Sequence, residues 1–357
     1  MLKYLPILLF VIISCTGQGQ PKAITPNPAT SKTGSIASIL DHQIWAIYQD
    51  TKGHYWFGSN GRGLYQYDGK NLTLFTTKDG LVDNTIRGIQ EDHHQNVYIE
   101  TPDGISKYNG KQFTTLQPIS DPSNEWRLEP NDLWFGYNAN DLYRYDGTNL
   151  FELELPRQDL VKAYGLGAGG VPFEGNNYSP YAVYGVDKDK EGHVWFGTVT
   201  AGAFRYDGQS FLWFGEKELS TLPDGRVPGV RSMIQDKNGY FWLSNFHSKY
   251  KINPDLPKGY EKVKAVDEVH ELLKDRIGYF NSGLVDTEGN LWMTTYGGGV
   301  WKYDGVVLSN MEINNETEEV LLICIYQDRE GRIWLGSNNN GVYRQGGEGF
   351  EAFLPGR

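Results

Sequence analysis

IWAIYQDTKGHYWFGSNGRGLYQYDGKNLTLF, residues 44–75, holds four short runs rich in β-branched and aromatic residues, broken at three points by turn-forming residues. Runs of that length and composition predict a small antiparallel meander and not a helix. The first break, Asp50-Thr51-Lys52-Gly53, pairs an Asp able to bond the backbone two residues on with a Gly free to take positive φ. That is the chemistry of a tight hairpin with a bulge. The last break, Asp68-Gly69, reads as a two-residue hairpin turn in which both residues take positive φ.

The same signals return along the chain. Aligned on the central aromatic, the repeats carry Trp56, Tyr98, Trp134, Trp195, Trp242, Trp292 and Trp334. An aspartate stands six residues earlier in six of them: Asp50, Asp92, Asp189, Asp236, Asp286 and Asp328. The second turn signal recurs as Asn109-Gly110, Asp146-Gly147, Asp207-Gly208 and Asp304-Gly305. Repeats of this length, each encoding four antiparallel strands, predict an all-β fold, a single seven-bladed β-propeller over residues 34–357. The central Trp is the wedge between neighbouring blades, and Gly34–Leu40 is placed to lend a further strand. Two repeats depart: blade 3 offers Leu128 and Asn131 in place of the first-turn Asp and Gly, and blade 5 has Ile252-Asn253-Pro254 in place of the second.

Composition narrows the function classes. The formal net charge of −11 gives an acidic, solvated surface and argues against a nucleic-acid or anionic-membrane surface role. Of the two cysteines, Cys324 lies in the apolar run Leu321–Ile325 as a small buried hydrophobe, so no disulfide framework is expected. Residues 1–14 place Lys3 before an apolar run that ends at Ser14-Cys15, too short for a comfortable membrane span. They resemble a bacterial lipoprotein signal, which implies lipidation at Cys15 and a membrane association made only through that anchor. Residues 15–33 are rich in Gly, Pro, Thr and Gln and read as a flexible tether.

The pattern Ile47-Tyr48-Gln49-Asp50-x-x-Gly53-x-x-Trp56-Phe57-Gly58-Ser59, followed by Gly63-Leu64-Tyr65-Gln66-Tyr67-Asp68-Gly69, resembles the two-component regulator propeller repeat. That family includes periplasmic sensor portions of hybrid histidine kinases and stand-alone envelope proteins. The resemblance implies a monomeric, sensor-like or ligand-binding module in the bacterial cell envelope, facing the periplasm. Its partner would be a small molecule or glycan, or, alternatively, an envelope protein engaged in a signalling or uptake complex. No phosphotransfer chemistry is expected of these residues.

In a four-stranded blade the first and third turns leave one face of the disc, and the remaining connections leave the other. Here the first set is short and uniform, while long connections (155–180, 215–228, 253–276 and 309–319) all fall on the second face. Loops that grow on a rigid scaffold commonly carry binding. One of them, Ala163–Tyr181, is glycine-rich and aromatic, and another, Tyr260–Arg276, has apolar residues spaced for a short amphipathic helix. Five residues before the repeat Asp, on the inner strand, stand Trp45, Arg87, Tyr184, Arg231, Asn281 and Ile323. A chemically varied position beside an apolar one is what a ring at a channel mouth requires. Trp45, Arg87, Tyr184, Arg231 and Asn281 are therefore the expected ligand contacts, joined from loops by Arg62, His247 and Tyr296; arginine and aromatic rings suit sugar faces and carboxylates.

A lyase alternative also arises, because the repeat is similar to that of the streptogramin lyases, metal-assisted propellers. Acid–base catalysis needs a His or carboxylate pair converging on one site. His54, His93, His94 and His193 fall at the short turns, and no carboxylate matches His247 or His270, so no catalytic residue, metal or cofactor is assigned. Asp187–Gly192 has the opening spacing of a calcium loop, but Thr198 stands where the closing Glu belongs, so at most weak binding is expected.

Overall fold

The computed structural model describes residues 34–119, 126–138, 141–165, 179–219, 228–266, 278–313, 319–347 and 349–355. Cys15, the tether, His270 and most of the Ala163–Tyr181 loop lie outside them. Seven sheets are arranged as the blades of a propeller. Blade 1 runs Ile44–Gln49, Tyr55–Ser59, Leu64–Tyr67 and Leu72–Phe75 from the axis outward, with Ser35–Ala37 added antiparallel as a fifth, outermost strand. Blade 7 takes all four of its strands, Leu322–Gln327 to Gly349–Ala352, from one continuous stretch. The ring closes between blades 7 and 1 by packing: Trp334 and Val342 share a buried cluster with Ile44, Phe57 and Tyr65. Hydrogen bonds cross the same seam, from Tyr55 Oη to Asp328 Oδ2 (2.8 Å) and from Arg329 N to Gln49 Oε1 (2.9 Å).

Each repeat aspartate does two jobs. In blade 1, Asp50 Oδ1 accepts from the backbone N–H groups of Lys52 and His54 and so shapes the turn. Its Oδ2 accepts from Trp56 Nε1 at 2.9 Å. Trp195, Trp242, Trp292 and Trp334 donate to their own aspartates in the same way, and in blade 2 the Tyr98 hydroxyl reaches Asp92. A large ring can thus be buried with its one polar atom satisfied. Gln95, standing where other repeats have Gly, takes φ 65° at the same turn.

The second turn differs from the two-residue hairpin expected. Tyr67 pairs with Leu72, so the loop spans the four residues Asp68–Asn71, and of Asp68 and Gly69 only Gly69 has positive φ, at 91°. Asp68 works through its side chain, accepting from Lys70 N and Asn71 N at 2.8 and 2.6 Å.

Two repeats depart further. In blade 5 the amphipathic helix expected from Tyr260 is, over Tyr260–Lys264, the outer strand, paired with Ser248–Ile252. A turn at Asn253–Gly259, closed by Asn253 N donating to Gly259 O, folds it back, and the Tyr260 ring stacks on Phe214 at 4.4 Å. The remainder of that expected helix, residues 267–276, lies outside the described residues. Blade 3 holds Leu133–Asn138, Asp141–Tyr145 and Leu150–Leu153, with Pro118–Ile119 parallel to the last at the outer edge. Its described residues supply no inner strand.

Candidate functional site

All six inner-strand positions singled out in the sequence line one cavity of about 630 Å³ on the propeller axis. They reach it because each sits near the start of an inner strand, one residue after an apolar anchor: Ile44, Ile86, Val183, Val230, Phe280 and Leu322 are all buried. The four large side chains combine in two pairs. The Arg87 guanidinium lies over the Trp45 ring at 4.1 Å, and that of Arg231 over Tyr184 at 4.7 Å. Neighbouring groups fix each pair. Trp45 Nε1 donates to Asn338 Oδ1 (2.8 Å), Arg87 Nη1 donates to Asn60 Oδ1 (3.2 Å), and Arg231 Nε donates to the Pro228 carbonyl (3.2 Å). Asn281 donates from Nδ2 to the Leu322 carbonyl at 2.7 Å, and its buried Oδ1 meets no protein donor. The cavity thus brings two arginines together on a molecule of strongly negative net charge.

Below the mouth the cavity widens at blade 3, where the inner edge of Leu133–Asn138 faces the axis. Three side chains from the flanking blades satisfy that edge. Lys188 Nζ donates to the Asp132 carbonyl (2.9 Å), Gln90 Nε2 donates to the Trp134 carbonyl (2.8 Å), and Glu100 Oε1 accepts from Gly136 N (2.8 Å). Glu100 has room because Gly88 carries no side chain; a Cβ there would lie 2.7 Å from Glu100 Oε2. Burial lowers the affinity of Lys188 for its proton, with Asp132 opposing. On the neighbouring position, burial in the channel wall pushes the Asp187 carboxyl up to about 6, against the Met233 N–H that donates to it. Cys324 also lines the cavity, its thiol pushed up to about 12 by burial.

Blade 3's altered turn also removes the partner of its tryptophan. With Leu128 in place of Asp, buried Trp134 Nε1 has no acceptor among the described residues. A buried ion pair, Arg144 to Asp132 at 2.9 Å, anchors the start of the strand instead.

The three loop residues do not join the cavity wall. Arg62 pairs with Asp41 at 3.4 Å with its side chain 73% exposed, Tyr296 is 56% exposed and accepts from Asn338 Nδ2, and His247 is exposed beside Gly278. Tyr296 remains linked to the ring, since Asn338 also holds Trp45. His54 and His193 lie at the short turns beside Asp50 and Asp189, as expected. Asp189, Glu191 and His193 cluster closely enough to hold an ion. Arg205 already fills that role, with Nε 3.1 Å from Asp189 Oδ2 and Nη2 2.6 Å from His193 Nδ1. Asp187, the first residue of the supposed calcium loop, turns into the channel wall instead.

The sequence profile described as the two-component regulator propeller matches residues 38–61 and 317–339, the start of blade 1 and its counterpart in blade 7. Those two segments match the two-component regulator propeller repeat. Solved structures share the fold. The extracellular domain of BT4673 from B. thetaiotaomicron, assigned to a hybrid two-component system, is 21% identical over 87% of this chain, with a TM-score of 0.57. That of BT3049 from the same organism is 18% identical over 85%, at 0.52. This chain spans 39% of the length of each. Virginiamycin B lyase from Staphylococcus aureus is 13% identical, over 86% of this chain and 97% of its own, at 0.56. A search of curated proteins returned no match. The chain thus shares the propeller fold of these domains.

Proposed function

We propose that this chain is a sensor-like, ligand-binding propeller of the bacterial envelope, held to the membrane through Cys15, which takes a small molecule or carbohydrate at the mouth of its central channel. One observation carries the reading: four inner-strand side chains from four blades form two arginine-on-aromatic pairs around a single cavity. Each pair offers a ring face for stacking and a planar cation for a carboxylate or a sugar hydroxyl. The cavity volume lies within the range of small-ligand pockets. The likeness to extracellular sensor domains supports the same reading and the extracytoplasmic location.

The test is a thermal-shift screen of the chain against neutral and acidic oligosaccharides, followed by titration of any hit. Arg87→Ala and Arg231→Ala should each abolish the shift while leaving the unliganded melting temperature within a few degrees. Ligand binding retained in the double variant would move the site away from the mouth. No shift across the screen, together with recovery of one defined envelope protein in pull-downs, would replace the small ligand by a protein partner.

A further inference from the structure

Six blades place a strand next to the axis, and in the described residues the seventh does not. The described segment that precedes the blade 3 strand runs elsewhere. Ile119 pairs at the outer edge, and Trp126 packs edge-on against Tyr206 and Phe211, the outer strands of blade 4. What remains at the axis is an edge presenting, at every second residue, the Asp132 carbonyl, the Trp134 carbonyl and the Gly136 N–H. Lys188, Gln90 and Glu100 meet them with a donor, a donor and an acceptor.

Those are the groups a neighbouring strand would offer from its own backbone. Alternate residues of a strand lie about 6.6 Å apart, so one extended backbone matches all three positions together. A compact sugar ring does not span them. The three caps are long side chains that give up rotamer freedom to meet this edge, and a single peptide backbone would replace all three there. The cavity adjoins the edge, Gly88 on the blade 2 flank has no side chain, and on the blade 4 flank Val183 and Val186 pack against Gly136.

We infer that the blade 3 gap is a strand-accepting site. An extended segment of another polypeptide enters from the loop-rich face, runs antiparallel to Leu133–Asn138 and completes the blade by backbone pairing. The other blades indicate its chemistry: a small residue at the second or third position, as in Ile44-Trp45-Ala46 and Val183-Tyr184-Gly185, followed by an apolar one. This site lies below the mouth, in the same cavity as the arginine pairs.

The experiment titrates an acetylated, amidated hexapeptide, VYGVDK, the sequence of residues 183–188, into the full chain by calorimetry. Saturable binding is expected, tightening about fivefold for each of Gln90→Ala and Lys188→Ala, because each removes a competing cap. Two N-methylated peptides supply a check that needs no protein variant: methylation of alternate amides in one register should abolish binding, and in the other register should preserve it. Equal effects of the two methylation patterns overturn strand pairing. So does the lack of saturation below about 1 mM in both the wild type and the Gln90→Ala/Lys188→Ala variant.

Discussion

Replacing Asp328 by Ala tests how the propeller is closed. Its Oδ1 accepts from the backbone N–H groups of Glu330 and Arg332 at 3.1 and 2.8 Å. Its Oδ2 accepts from Trp334 Nε1 (2.7 Å), Tyr55 Oη (2.8 Å) and Arg332 Nε (3.0 Å). Arg332 is 41% exposed and can turn to water when the carboxylate is lost. Trp334 is buried and cannot, while Tyr55 Oη keeps a longer bond to Glu330 Oε2 at 3.3 Å. Leaving the Trp334 donor without an acceptor costs about 1–3 kcal/mol and losing the shorter Tyr55 bond about 1 kcal/mol more, so Asp328→Ala should destabilise the chain by about 2–4 kcal/mol. Asp286 carries the same turn and tryptophan bonds but none to a neighbouring blade. Asp286→Ala should therefore cost about 1 kcal/mol less, the difference reporting the Tyr55 bond across the seam. Urea unfolding followed by tryptophan fluorescence measures both, with Tyr55→Phe closing the double-mutant cycle with Asp328→Ala. Equal losses for the two aspartates, or a cost below about 1 kcal/mol for Asp328→Ala, would refute the reasoning.

Trp134→Phe should be tolerated better than Trp334→Phe by about 1–2 kcal/mol in the same assay, since Trp134 Nε1 has no acceptor to lose among the described residues. Burial works against the charge on Asp92, Asp189, Asp286 and Asp328, yet hydrogen bonds from ring, side-chain and backbone donors outweigh it and hold these carboxyls below the usual range. Their stabilisation is present above the unfolded value of about 4 and is lost as pH falls below it, so the melting temperature should drop steeply under about pH 4, and less so in Asp286→Asn. Asp187 has the opposite sign. Its folded value is raised to about 6, so its charge costs stability as pH rises from about 4 to 6, and Asp187→Asn should stabilise the chain at pH 7.5 but not at pH 3.5. The gain is at most about 3 kcal/mol, and less because the channel admits water.

The propeller was legible because its local rules are strict. A hairpin that needs an Asp side-chain acceptor and a positive-φ Gly leaves both in the sequence, and a buried indole needing that same Asp fixes the six-residue spacing. The ring at the mouth was legible for a related reason: an apolar anchor sets the inner strand, and the next residue must face the axis. Gln90, Glu100 and Lys188 carry no signal of their own in the sequence, because each stands at an ordinary position of blade 2 or 4. Their role depends on what blade 3 lacks. The signal was present in Leu128 and Asn131: without turn chemistry there is no first hairpin, and without a hairpin there is no returning inner strand. Tyr260–Lys264 was misread because alternate apolar residues in a short run fit both periods. The turn that decides between them, Asn253–Gly259, uses a Pro-containing sequence unlike the other repeats.

The seam between blades 7 and 1 has a topological consequence. No strand is exchanged across it; Ser35–Ala37 joins the outside of blade 1, and blade 7 is complete by itself. Every joint of the ring is then a contact between two sheets, and the seam differs from the rest only in having no peptide running through it. The order in which the blades are threaded on the chain is thus free of the shape they make. Joining Ala352 to Ile44 through a linker and cutting within the short Asn109–Gln112 turn should give a permuted chain with the same channel, the same mouth and the same open place at blade 3.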